Sequence, residues 1–97
     1  MWARLATGQV QPGKMDEFIK IYIDTQKSVN QGMQGFQSAR ILTDLSTNKA
    51  VAMTVWATES DARAASTASA LDDVVARFGA VLEGRPITEF YEISIDY

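Results

Sequence analysis

The sequence contains neither cysteine nor histidine. The first absence removes disulfides and thiolate chemistry. Together the two exclude the usual zinc sites, Ser-His-Asp triads, Cys-His pairs and a haem held by a proximal histidine. No glycine-rich phosphate loop follows a strand-like segment, so neither a nucleotide nor a flavin is expected. The expectation is a protein with no metal and no cofactor, whose chemistry falls to Asp, Glu, Tyr, Trp, Arg, Lys, Asn or the substrate itself. Positive charge is also scarce: nine Lys and Arg face twelve Asp and Glu, for a net charge of −3. The basic residues are scattered from Arg4 to Arg85, which argues against nucleic acid and anionic lipid as partners. No apolar run is long enough to span a bilayer. The opening residues MWARLATGQV carry no basic segment followed by an apolar one, so a cytoplasmic location is expected.

What is present describes an ordinary globular chain. Ninety-seven residues, 46% hydrophobic and 22% charged, predict a single domain over residues 1–97 with room for one core. Residues 2–10 read as a strand, stopped by Pro12-Gly13. Met15, Phe18, Ile19, Tyr22, Ile23 and Gln26 then recur at helical spacing, predicting an amphipathic helix of about four or five turns that ends near Asn30 to Gly32. Phe36 to Leu45 and Lys49 to Ala57 form a strand pair around the polar turn Ser46-Thr47-Asn48. Thr58 is placed to cap a second helix. From Glu59 to Glu83 the pattern predicts one broken helix or two short ones. A capping-box-like Ser69-Ala70-Leu71-Asp72 lies within it, and Gly84 and Pro86 follow as stops. Tyr91, Ile93, Ile95 and Tyr97 alternate with polar residues as a last strand.

The order βαββαβ is that of an α+β, ferredoxin-like fold, a four-stranded antiparallel sheet with both helices on one face. The third strand is apolar on both sides: Val51, Met53 and Val55 on one, Ala50, Ala52 and Trp56 on the other. Two helices cover only one side, so a second copy of the chain is the expected cover for the other. A homodimer without a stable folded monomer follows.

Several segments resemble the antibiotic-biosynthesis-monooxygenase-like domains. Val10-Gln11-Pro12-Gly13-Lys14 with Phe18 is similar to that family's passage from strand to helix. Gly35-Phe36 is similar to its entry into the second strand, with Gln34 where a proline is common. Trp56 followed by Thr58-Glu59-Ser60-Asp61-Ala62 is similar to its third strand running into a helix. The resemblance implies a dimeric α/β barrel. It also implies oxidation of aromatic polyketides or quinols with no metal or flavin. The haem-degrading branch is not matched, because this chain has no His and its first strand has no Asn.

Candidate site residues follow from both lines. Trp56 is either a pocket wall that stacks on a flat substrate or a large ring filling core or interface. Phe18, Tyr22 and Phe78 are core residues by spacing and pocket neighbours if a cavity lies beneath the helices. The stretch Ala62 to Ala70 either packs tightly or leaves such a cavity. Arg40 either pairs with a substrate oxyanion or forms an ion pair at a surface or interface. Two functions are open: a cofactor-independent monooxygenase acting on a quinol or polycyclic phenol, or a non-catalytic dimer that binds a small aromatic molecule or serves as a scaffold.

Overall fold

In the computed structural model, which describes residues 1–28, 30–67 and 72–97, four strands build one antiparallel sheet. The elements are β1 (Trp2–Gln9), α1 (Met15–Ser28), a short 3-10 turn (Asn30–Gly32), β2 (Phe36–Asp44), β3 (Lys49–Trp56), α2 (Glu59–Thr67), α3 (Asp72–Gly79) and β4 (Ile87–Glu92). The strand order is β2-β3-β1-β4, the ferredoxin-like arrangement.

Local chemistry places the joints. Pro12 and Gly13 occupy a turn closed by Lys14 N–H donating to Gln11 O at 3.0 Å, and Gly13 has φ 79°, which a glycine at the third position of such a turn adopts without strain. The Thr58 hydroxyl accepts from Asp61 N–H at 3.1 Å and so caps α2. At the β2–β3 turn, Asp44 Oδ1 accepts from the Ser46 backbone N–H at 2.9 Å, and Asn48 takes the left-handed conformation at φ 58°. Gly35 is required twice over. Its φ is 81°, and a Cβ there would collide with the Asp61 side chain. That accounts for the Gly-Phe step into β2.

Three expectations need correction. The buried side of α1 runs through Met15, Phe18, Ile21, Tyr22 and Thr25, whereas Ile23 is 47% exposed. At 100° per residue the centre of the stripe lies toward Phe18 and Ile21, which turns Ile23 outward. The second helical region ends at Gly79 instead of Glu83. Its continuation is recruited by the end of β1: Val81 O accepts from Gln11 N–H, Glu83 N–H donates to Gln9 O, and Val10 bridges Leu82. The last strand stops at Glu92, opposite Trp2. Ile93 N–H still reaches Met1 O, but β1 offers no backbone partner further on, so Ile95 and Tyr97 lie exposed outside any strand. The capping-box reading at Ser69 to Asp72 falls in part on residues outside those described.

The core has two centres. One gathers Val10, Met15, Phe18, Ile21, Val81 and Leu82 around Ala50. The other sets Trp56 against Ala62 and Ala65 of α2, with Trp2, Met33, Phe36 and Phe90 around it.

Candidate functional site

Between these two centres the floor of the sheet is made of very small residues. Ala6 pairs with Ala52, and Gly8 with Ala50. All four lie on the helix-facing side, because alternation puts them in line with the buried Thr54 and Trp56. Ala50 is covered by the first core centre, but over Ala6, Gly8 and Ala52 the helices leave a gap. The result is a cavity of about 230 Å³, partly open to solvent.

Its walls are aromatic. Phe18 of α1 and Phe78 of α3 meet at 5.3 Å between ring centroids, tilted by 50°, and both border the space together with Tyr22 and Trp56. Trp56 is 1% exposed. Its Nε1–H donates to Thr54 Oγ1 at 2.9 Å, and Phe36 packs edge-on at 5.5 Å. The ring therefore faces the helices, and it belongs to the core and to the cavity wall at once.

Arg40 is not among these residues. Its backbone carbonyl accepts from the Tyr22 hydroxyl at 2.9 Å, while its side chain stands on the opposite face of the sheet and is exposed. The cause is a bulge. Phe36 pairs with Trp56 and Ser38 already pairs with Val55, so Gln37 is an extra residue. One inserted residue reverses the faces of everything after it. Without it, Arg40 would stand opposite Ala52, over the cavity.

The cation that does reach the cavity is Arg4, on β1. Its Nε–H donates to Ser66 Oγ at 2.6 Å, and the Ser66 hydroxyl in turn donates to Ala62 O of α2 at 3.4 Å. Desolvation lowers the Arg4 pKa, an effect partly opposed by Tyr22; a guanidinium nevertheless stays protonated. Burial pushes the Tyr22 phenol up to about 12, with the charge of Arg4 and the hydrogen bond to Arg40 O working against it. Tyr22 is therefore a neutral hydroxyl and not a base. No Asp, Glu or Lys lines the cavity among the described residues, and no three metal-binding side chains of the His, Cys, Asp and Glu types come together among them.

The Ala62–Ala70 stretch was open to two readings, tight packing or a cavity beneath it. Ala62 and Ala65 pack against Trp56, although Ala65 also borders the cavity; residues 68–70 lie outside those described. The emptiness originates in β1 and β3, whose signal was the run of small residues at alternate positions. Arg4 left a signal too: one charged residue in phase with the inward side of an apolar strand.

A sheet of this order, with helices on one side and a cavity bearing four aromatic rings beneath them, defines a ferredoxin-like α+β domain. The chain belongs to the antibiotic biosynthesis monooxygenase family, whose model matches residues 1–77. Solved structures agree in fold. SnoaB, a cofactor-independent oxygenase from Streptomyces nogalater, superposes with a TM-score of 0.82 at 14% identity, over 98% of this chain and 94% of that one. A candidate antibiotic biosynthesis monooxygenase from Bordetella bronchiseptica gives 0.85 at 11% identity, over 97% of both chains. A Nitrosomonas europaea protein of unknown function gives 0.81 at 14%, over 99% and 91%. At such identities the likeness is one of fold, and fold alone does not assign chemistry. No curated protein matches the sequence. Among the described residues no helix is long and apolar enough to cross a membrane.

Proposed function

We propose that the protein is a cofactor-independent monooxygenase that oxidises a flat aromatic substrate, a quinol or fused-ring phenol, with dioxygen. The observation that carries this reading is the cavity between sheet and helices, walled by Phe18, Tyr22, Trp56 and Phe78. Aromatic walls hold a flat ring in one orientation and strip its water. An electron-rich phenol, once ionised, supplies the electrons that dioxygen needs. One oxygen atom bonds to the ring carbon and the other leaves as water, so that phenol and dioxygen give quinone and water with no outside reductant. The protein's task is to bind, orient and desolvate, which suits a site with no acid–base pair. A cavity of about 150 Å³ accepts benzene, so about 230 Å³ suits one or two rings. In this reading the working unit is a homodimer, with the outer sheet face closed against a second copy.

Oxygen uptake with a panel of hydroquinones and naphthols tests the assignment. Uptake matched by quinone formation is expected. The Ala52→Leu variant, which fills the cavity floor, should abolish both while leaving stability within about 1 kcal/mol of the parent. Aromatic binding without uptake across the whole panel would reject the oxygenase and favour a binding dimer.

A further inference from the structure

We infer that the cavity selects aromatic anions: one- or two-ring compounds carrying an ionised oxygen acid, with that oxygen set against Arg4. The inference rests on the reading of the cavity as the ligand site, but it does not require that the ligand be oxidised.

Twelve Asp and Glu outnumber nine Lys and Arg in this chain, yet the described walls of the cavity hold two arginines and no acid. Arg85 is exposed at the rim, where water screens it. Arg4 is half-buried on the floor. Charged side chains removed from water are ordinarily matched by an opposite charge. The three ion pairs among the described residues engage Lys14, Arg63 and Arg77, all at the surface. Among the described residues Arg4 bonds only to the neutral hydroxyl of Ser66.

That single bond also sets direction. Ser66 receives Nε–H and spends its own proton on Ala62 O, so the planar guanidinium is held by one edge. Its two Nη nitrogens take no partner among the described residues, and the residue lines the cavity. A fork of N–H donors suits a carboxylate or a phenolate oxygen. Tyr22 lies close enough to feel the charge of Arg4, but its hydroxyl proton is committed to Arg40 O. It therefore offers the ligand a ring face instead of a competing donor. Thus the aromatic walls read the rings and Arg4 reads the charge.

Calorimetric titration with three probes tests this: 1-naphthoate, its neutral isostere 1-naphthamide, and 4-nitro-1-naphthol, whose colour reports ionisation. An anion should bind at least about tenfold more tightly than the amide, as expected of a charge-assisted hydrogen bond. Whichever anion binds more tightly identifies the acid as carboxylate or phenol. Arg4→Gln should remove that preference while leaving amide affinity within about twofold, Arg4→Lys should retain part of it, and Arg40→Gln, on the opposite face, should change nothing. Equal affinity of anions and amide in the parent protein would overturn the inference and leave the cavity assignment intact; that comparison needs no variant to fold. A preference that survives Arg4→Gln would overturn it as well. Failure of all three probes to bind would overturn the inference together with the cavity reading.

Discussion

The two faces of the sheet are built from the same strands to opposite ends. Under the helices, β1 and β3 present Ala6, Gly8 and Ala52, and the space they leave is ringed by aromatic side chains. On the outer face the same strands present Leu5, Val51 and Met53, flanked by Leu42 at 53%, Ile87 at 66% and Tyr91 at 52% exposure. Side-chain volume is withheld where a cavity is needed and supplied where a flat apolar surface is needed. This is the face that the proposed homodimer would bury. The difference teaches that hydrophobicity alone does not distinguish a face that leaves a cavity from one that does not; residue size does.

The sharpest way to break this comparison is to charge the outer face. Val51→Asp combined with Met53→Asp should weaken self-association by about a hundredfold or more, because buried unpaired carboxylates cost several kcal/mol. Sedimentation velocity would show a dimer in the parent protein and monomer or unfolded chain in the variant. A variant that sediments like the parent would mean that the outer face is not the interface.

On the inner face, Trp56→Ala should cost about 3–5 kcal/mol in urea unfolding, the range for truncating a large buried aromatic. A ring that only walled a pocket would cost less, but this one is 1% exposed and also packs against Ala62, Ala65 and Phe36. A loss below about 1 kcal/mol would show that the second core centre does not depend on this ring.

The smallest effect concerns Tyr22, and it appears only in alkali. Its phenol has an ordinary value of 10.0 and is pushed up to about 12 by burial. Between those values the unfolded chain gives up a proton that the folded protein keeps. The stabilisation is therefore whole below pH 10 and is lost as pH rises toward 12, by on the order of 2 kcal/mol in all. Tyr91 is shifted in the same direction by its hydrogen bond to Glu89, but it is exposed. Tyr22→Phe should consequently flatten most of the decline in stability between pH 10 and 11.5, and Tyr91→Phe little of it. The opposite ranking would place Tyr22 in contact with water.

Much of this was legible from residue order. Alternation and helical period located the first three strands and α1, and the Pro12-Gly13 turn and Thr58 cap marked two helix starts, but the alternation from Tyr91 to Tyr97 placed the last strand beyond most of β4. What escaped detection depended on phase. Alternation tells which residues share a face, but not which face meets the helices when both are apolar, so Trp56 could not be oriented. The bulge at Gln37 shifts the count by one and carries Arg40 to the far side. Nothing local to that residue reveals it, since a bulge is a relation between two strands. Arg4 was overlooked for a related reason: an isolated arginine near a strand start reads as a surface charge until Ser66, 62 residues away in sequence, is brought beside it.

The strand order also has a consequence in time. β2 and β3 are neighbours in the chain and close a hairpin over a four-residue turn, a contact formed early because little chain must be ordered. β1, made before either, has no local partner. It enters the sheet between β3 and β4, so its second edge waits for the segment Ile87–Glu92 from the far end of the sequence. Ala6 and Gly8 ride on β1 and share the cavity floor with Ala52 of β3, so the floor is complete only once this central strand is paired. Mutations that weaken the β1–β4 ladder should therefore speed unfolding more than they slow folding, a split that stopped-flow kinetics would show.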